Sequence, residues 1–152
     1  MLPNTEAGAF TTGIKSCKNH RFVCADGDRS SCLLANRDWY QQWEHFTFVP
    51  VDRATGTYAI RAHFNGKFVS VGQDELLTPS RDEVDLWETF RLHYLDEQVV
   101  ALQSLKNGKW VCVEDVTIGR GGNPAVSLTL ANALTATRDE IGEWEKFYFA
   151  TS

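Results

Sequence analysis

The four-residue motif Trp-Glu-x-Phe occurs three times in this chain, at residues 43–46, 87–90 and 144–147. In each copy an Arg-Asp pair begins six residues before the tryptophan. A ten-residue frame with five fixed positions, present in three copies, is the signature of an internal repeat. The chain must therefore fold into an arrangement that three similar units of sequence can build together.

Each repeat opens with two segments that predict a β-hairpin. The first segment alternates apolar and polar side chains, as half-buried strands do, and the return segment pairs an aromatic residue with Val. Asn-Gly joins the two segments at 65–66 and 107–108, which predicts a type I′ turn with positive φ at both central residues. His20 replaces the glycine in the first repeat and predicts a different or a strained turn there.

Comparison of the three copies, position by position, predicts which side chains are buried. An apolar residue stands three places after the arginine in every copy, at Tyr40, Val84 and Ile141, so we expect this column in the core together with the motif's phenylalanines. Two places after the arginine, the second and third copies carry glutamate and the first carries Trp39. Trp39 is therefore a candidate exposed aromatic side chain.

The glutamate of the motif is expected to have a structural role. Strand alternation places it on the buried side, where a carboxylate is costly unless it is paired. We therefore expect Glu44, Glu88 and Glu145 to bond to turn amides or to an arginine, with a bend that redirects the tryptophan.

Three units of two hairpin-like strand pairs predict an all-β chain, namely a β-trefoil with three pseudo-repeats of four strands. The predicted boundaries are one domain over residues 1–152, with repeats at roughly 12–52, 56–97 and 98–150. The third repeat has a longer, turn-rich loop at about 114–133, in which residues 126–130 alternate like a displaced strand.

Composition excludes several classes of protein. A net charge of −5 argues against a nucleic-acid binder, which needs a basic surface. No apolar run is long enough for a membrane span, and the N-terminus lacks the pattern of a secretory signal. The four cysteines lack zinc-ligand spacing, so we expect free thiols in a cytoplasmic protein, although an exported chain could form one disulfide.

No motif predicts catalysis. The sequence has no nucleophile elbow, no phosphate-binding glycine loop and no histidine pair with metal-ligand spacing. The four histidines stand in different columns of the repeat, and the acidic pairs are expected in solvated loops. We therefore expect a binding protein without catalytic residues, cofactor or metal.

The repeated frame resembles a known family. Asn-Gly-Lys-[Phe/Trp]-Val, then Leu, then Arg-Asp, then Trp-Glu-x-Phe is similar to the fascin-like, actin-crosslinking β-trefoils over about residues 12–149. The resemblance implies a β-trefoil that binds an actin filament or another protein. Because filaments are acidic, as this chain is, binding would use the local basic surface at Lys15, Lys18 and Arg21.

Carbohydrate binding is the alternative function. Sugars stack on exposed aromatic rings and form hydrogen bonds with neighbouring carboxylate and amide groups. Trp39 could supply the ring, and the alternative for this residue is packing beneath a neighbouring loop. The polar residues close to it in sequence are Asp26, Asp28, Asn36 and Gln41.

Two further patterns bear on the choice of function. The Gln-x-Trp pattern of ricin-type lectins occurs once, at residues 41–43, and is lost in the other two repeats. This loss argues against a ricin-type assignment but leaves sugar binding open. A third hypothesis is protease inhibition, in which residues 117–125 of the long third loop would block an enzyme.

Overall fold

The computed structural model describes residues 8–25, 32–120 and 123–151, and only the backbone at 118–120 and 123–128. Asp26 and Asp28, two of the candidate sugar-binding residues, lie outside the described residues. No helix in the described part of the chain is long and apolar enough to cross a membrane.

Twelve strands alternate with short turns along the described chain. The first repeat contains β1 (Phe10–Ser16), β2 (Phe22–Cys24), β3 (Leu34–Arg37) and β4 (Phe46–Asp52). The second contains β5 (Thr57–Ala62), β6 (Phe68–Val71), β7 (Leu77–Arg81) and β8 (Thr89–Tyr94). The third contains β9 (Val99–Ser104), β10 (Trp110–Arg120), β11 (Asn123–Arg138) and β12 (Phe147–Ala150). One 3₁₀ helix of a single turn precedes the last strand of each repeat, at Gln42–Glu44, Leu86–Glu88 and Glu143–Glu145.

Six of the strands close a barrel. The antiparallel pairings run in a cycle, β1 with β4, β4 with β5, β5 with β8, β8 with β9, β9 with β12, and β12 with β1. The remaining strands form three hairpins, β2–β3, β6–β7 and β10–β11. A six-stranded barrel with one such hairpin from each repeat is a β-trefoil, so the predicted fold class is confirmed.

The repeated apolar columns fill one core. Phe46, Phe90 and Phe147 are fully buried in it, as the motif predicts. Tyr40, Val84 and Ile141 are only half-buried and lie outside this core, so the prediction for that column is wrong. They follow the Arg-Asp pair, where the chain has left the third strand of the repeat and not yet entered the barrel. The core also contains the valine of each return strand and the leucine four residues before each Arg-Asp pair, at Val23, Val69, Val111, Leu33, Leu77 and Leu134.

The predicted hairpins are present, but their turn is not type I′. Positive φ occurs at His20 (58°), Gly66 (73°) and Gly108 (72°), and not at the asparagine before each of them. Each of these residues donates its N–H to the carbonyl oxygen four residues earlier, so the three turns have the same geometry. His20 thus adopts the left-handed conformation that glycine adopts in the other repeats, as the prediction of a strained turn requires.

The asparagine that precedes each of these turn residues holds its hairpin together through its side chain. The Nδ2 atoms of Asn19, Asn65 and Asn107 each donate to a carbonyl oxygen in the third strand of their own repeat, at 2.9 Å. Their Oδ1 atoms accept the N–H two residues onward, at 2.9–3.0 Å.

The insertion in the third repeat extends a hairpin and does not form a loop. The β10–β11 ladder runs from Trp110 paired with Arg138 to Arg120 paired with Asn123, with three register shifts. The long loop predicted at 114–133 is therefore wrong, while the strand predicted at 126–130 is confirmed as part of β11. At its base the hairpin packs Val116 and Leu130 against Leu76 in a small second cluster.

Candidate functional site

The glutamate of each Trp-Glu-x-Phe motif shapes the segment between the third and fourth strands. It is buried, with exposed fractions of 4% for Glu44, 4% for Glu88 and 6% for Glu145. Its Oε1 atom accepts the backbone N–H three residues earlier, which closes the 3₁₀ turn and confirms the predicted bond to a turn amide. The donors are Gln41 at 2.8 Å, Asp85 at 2.8 Å and Gly142 at 2.5 Å.

The tryptophan of each motif lies at the surface and contacts the next repeat around the barrel. Lys106 Nζ lies 4.4 Å from the centre of the Trp87 ring, and Lys18 Nζ lies 4.5 Å from the centre of the Trp144 ring. Phe64 occupies the same column as these lysines and meets Trp43 edge-on, at 6.1 Å between ring centres. The tryptophan therefore joins one repeat to the next.

Three equivalent clefts lie beside these tryptophans, one in each repeat. Each cleft is bounded by the arginine at the end of the third strand and by the 3₁₀ turn. The cleft of the first repeat, here the Trp39 cleft, has a volume of about 370 Å³, within the usual range for small-molecule sites. Its lining residues are Arg37, Trp39, Gln41, Gln42, Trp43 and Glu44.

The Trp39 cleft differs in chemistry from the other two. Trp39 is 73% exposed, so the alternative of packing beneath a loop is wrong. Two indoles and two amides dominate its lining, whereas glutamate replaces Trp39 in the other repeats. The second cleft contains Asp82, Glu83, Asp85 and Glu88, and the third contains Asp139, Glu140, Glu143 and Glu145.

Neighbouring rings support the backbone of the Trp39 cleft. The Tyr40 ring stacks on His45 at 3.9 Å between centres, with 16° between the planes. Nδ1 of His45 is in hydrogen-bond contact with the Gln41 carbonyl oxygen. Burial raises the pKa of the Tyr40 hydroxyl. These contacts hold the segment between Trp39 and Gln41.

The structure brings together some of the residues predicted for sugar binding and separates others. Trp39 and Gln41 line the same cleft. Asn36 does not line it, and its Oδ1 atom is buried with no hydrogen-bond partner among the described residues. Gln42 also lines the cleft but was not predicted from the sequence. Its position differs among the three repeats, since Leu86 and Glu143 occupy it in the second and third.

The predicted basic surface is divided among separate contacts. Lys15 Nζ lies 4.6 Å from the centre of the Phe22 ring. Lys18 Nζ donates to Asn132 Oδ1 at 3.0 Å, in addition to its contact with a tryptophan. Arg21 forms an exposed ion pair with Asp38 at 3.6 Å.

The cysteines are free thiols, three of them buried and Cys17 half-buried. The pKa of Cys112 is raised to about 12, chiefly by burial and next by a hydrogen bond with Glu145, while the nearby Arg138 lowers it. A thiol with so high a pKa is a poor nucleophile. Within residues 8–25, 32–120 and 123–151, no three His, Cys, Asp or Glu side chains are grouped as ligands for a metal ion.

Neither a protein-family model nor a curated protein matches the chain. Solved structures do match. A designed threefold-symmetric protein, ThreeFoil, superposes with a TM-score of 0.72 and 11% identity over 92% of this chain and 97% of its own. The Macrolepiota procera ricin B-like lectin in complex with lactose superposes with a TM-score of 0.69 and 8% identity over the whole of both chains.

A third similar structure is the Polyporus squamosus lectin bound to a human-type influenza-binding epitope. It has a TM-score of 0.67 and 13% identity, over 91% of this chain and 48% of the lectin. Identities at this level establish the fold alone. The chain is thus a β-trefoil, and its assignment to the fascin-like branch stays a prediction.

Proposed function

We propose that this chain is a carbohydrate-binding module that holds a glycan in the Trp39 cleft. The proposal is carried by the exposure of Trp39, whose large aromatic ring is 73% exposed beside a cleft. Such a ring gains no hydrophobic stabilisation unless a ligand covers it. Gln41 and Gln42 place primary amides in the same cleft, and each amide can donate to and accept from sugar hydroxyls.

The similar solved structures support the same choice of ligand class. One of the two lectins is in complex with lactose and the other is bound to a sialylated trisaccharide epitope. Both are β-trefoils of similar shape to this chain. The proposal is of a binding module and not of an enzyme, since the carboxylate in the cleft, Glu44, is engaged by the Gln41 N–H.

A glycan array tests the proposal. Wild-type chain is expected to retain at least one glycan, and Trp39→Ala to lose it. Glu83→Ala is the matched control, because Glu83 occupies the same column in the second repeat and is exposed. The absence of any bound glycan, or equal binding by Trp39→Ala, would contradict the proposal.

Actin-filament binding, which the fascin-like resemblance implies, is the second candidate. The repeated frame from the Asn-Gly turn to Trp-Glu-x-Phe is the observation that favours it. Against it, Lys15, Lys18 and Arg21 already contact groups of this chain. Co-sedimentation with filaments at micromolar concentration and low salt would support this function, and absence from the pellet would exclude it.

Two other expectations stay predictions. Protease inhibition rests on residues 117–125, most of whose side chains lie outside the described residues. A cytoplasmic location rests on the free thiols, which a reducing compartment preserves.

A further inference from the structure

The three clefts differ in charge, since four carboxylates line each of the second and third and one buried carboxylate lines the first. From this difference we infer that the Trp39 cleft selects uncharged sugars over both acidic and amino sugars, and that the equivalent clefts of the second and third repeats bind no glycan. The inference rests on the proposed function, since it names the ligand class for the same site.

The four exposed residues that line the Trp39 cleft carry no charge. Trp39, Gln41, Gln42 and Trp43 are all exposed. An amide offers both a donor and an acceptor, so it pairs with a neutral hydroxyl without leaving a charge uncompensated. An indole offers an apolar face to the C–H groups of a pyranose ring. Together they fit a ligand that has many hydroxyls and no net charge.

The two charged groups of the cleft each interact with another group of the protein. Glu44 is buried, and its Oε1 accepts the Gln41 N–H at 2.8 Å, so an amino sugar finds no exposed carboxylate among the lining residues. The Arg37 guanidinium lies 5.9 Å from the centre of the Trp43 ring and has a further interaction. An acidic sugar would also approach a chain with a net charge of −5, which repels it.

The second and third clefts lack the ring of Trp39 and both amides of the first. Glu83 and Glu140 replace Trp39, so no exposed ring remains at that position. Asp85 and Gly142 replace Gln41, and Leu86 and Glu143 replace Gln42. These clefts retain the tryptophan of the motif, but four carboxylates line each of them. A neutral sugar therefore meets ionised groups that it would have to desolvate, with one exposed ring to stack on in place of two.

Matched sets of sugars test the selection. Methyl glycosides of glucose, glucosamine and glucuronic acid, and of galactose, galactosamine and galacturonic acid, are titrated into the full chain by calorimetry. The result expected is that at least one neutral member binds and that its charged partners bind at least about tenfold more weakly, a difference of about 1.4 kcal/mol.

The outcomes separate the inference from the proposed function. Stronger binding of an acidic or amino sugar, abolished by Trp39→Ala, would overturn the selection while leaving the glycan site in place. If no glycoside in these sets and no array glycan binds, both the site and the selection are overturned.

Transplanting the lining into the second repeat tests whether these residues suffice. The triple variant Glu83→Trp, Asp85→Gln and Leu86→Gln changes side chains that are exposed, and it leaves the backbone N–H of residue 85 free to bond to Glu88. Circular dichroism confirms its fold. Stoichiometry for the neutral glycoside is expected to rise from about one to about two, because the variant has two clefts that each contain two tryptophans and two amides. A folded triple variant that stays at one site would overturn the inference.

Discussion

Lys106 Nζ lies 4.4 Å from the centre of the Trp87 ring and donates a hydrogen bond to the Gly72 carbonyl oxygen at 2.6 Å. The contact joins the first hairpin of the third repeat to the end of the second. Lys18 meets Trp144 in the same way, and Phe64 takes the lysine's place against Trp43. One aromatic surface in each repeat thus accepts either a cation or a second ring.

This relationship predicts which substitutions Lys106 tolerates. Lys106→Phe reproduces the pair formed by Phe64 and Trp43, so it is expected to change the free energy of unfolding by less than about 1 kcal/mol. Lys106→Glu removes the cation from the ring and places a carboxylate there, which is expected to cost about 1–2 kcal/mol. Urea denaturation of both variants measures the difference, and equal stability of the two would contradict the assigned contact.

The buried glutamates predict a larger effect on stability. Glu88 Oε1 accepts the Asp85 N–H, and its Oε2 accepts the Ser70 hydroxyl at 2.7 Å. Glu88→Ala leaves the buried Ser70 hydroxyl and the partly buried Asp85 N–H without this acceptor, and the expected loss is about 1–3 kcal/mol. The exposed Glu83 is the control, since Glu83→Ala is expected to change stability by no more than about 0.5 kcal/mol. Similar losses for the two variants in urea denaturation would rule out the structural role.

Substitutions at Gly66 and His20 measure the free-energy cost of a positive φ apart from any steric clash. A Cβ built at Gly66 meets no atom within 4 Å, so Gly66→Ala is expected to lose stability, by about 1 kcal/mol, only because φ is 73° there. His20→Gly is expected to gain up to about 1 kcal/mol, reduced by the loss of the hydrogen bond between His20 Nδ1 and the Tyr148 hydroxyl. Thermal denaturation measures both changes, and a loss at His20→Gly would mean that this bond outweighs the strain.

The raised pKa of Cys112 predicts a loss of stability in alkali. The folded chain holds this proton up to a pKa of about 12, whereas the ordinary value is 9.0. The folded state therefore binds more protons than the unfolded state between these values. The contribution to stability is full below pH 9 and is lost as pH rises towards 12.

Cys112→Ser isolates that contribution, because Ser70 occupies the same column of the second repeat and bonds to Glu88. The expected result is a shallower decline of the unfolding free energy between pH 9 and 12 than in the wild type. Tyr40, Tyr94 and Tyr148 also have raised pKa values, but they are present in both proteins and cancel in the comparison. Parallel declines would contradict the raised pKa.

The β-trefoil fold could be predicted because the same pattern of buried and exposed residues occurs in three copies, and each copy makes equivalent contacts. The core phenylalanines and the glutamate that bonds to a turn amide repeat with little change, so burial and alternation alone locate them. The position of Tyr40 was wrongly predicted to lie in the core, because a residue that is apolar in all three copies can equally cover the outside of a barrel. The turn type could not be read from Asn-Gly, since the asparagine is kept for its side-chain bonds and has ordinary φ.

The candidate site could be predicted only in part. Trp39 stood out because its column is acidic in the other two repeats, and Gln41 is its neighbour in space as in sequence. Asn36 could not be excluded from the site by sequence alone. It lies three residues before Trp39 in a strand, where a side chain can face either side of the sheet. The length of the β10–β11 hairpin was missed because glycine and proline near its tip indicate a loop more strongly than the alternating flanks indicate strands.

The indole N–H resonances of the five tryptophans give the most direct measurement of the proposed site. The variants Trp39→Phe, Trp43→Phe, Trp87→Phe and Trp144→Phe each assign one ¹H–¹⁵N signal, and the neutral glycoside that binds is then titrated into uniformly labelled protein. The account predicts that the Trp39 signal moves with saturation, that Trp43 moves with it as a second lining residue, and that Trp87 and Trp144 do not move. A bound glycan that shifts the signal of Trp87 or Trp144 and leaves Trp39 unchanged would contradict it.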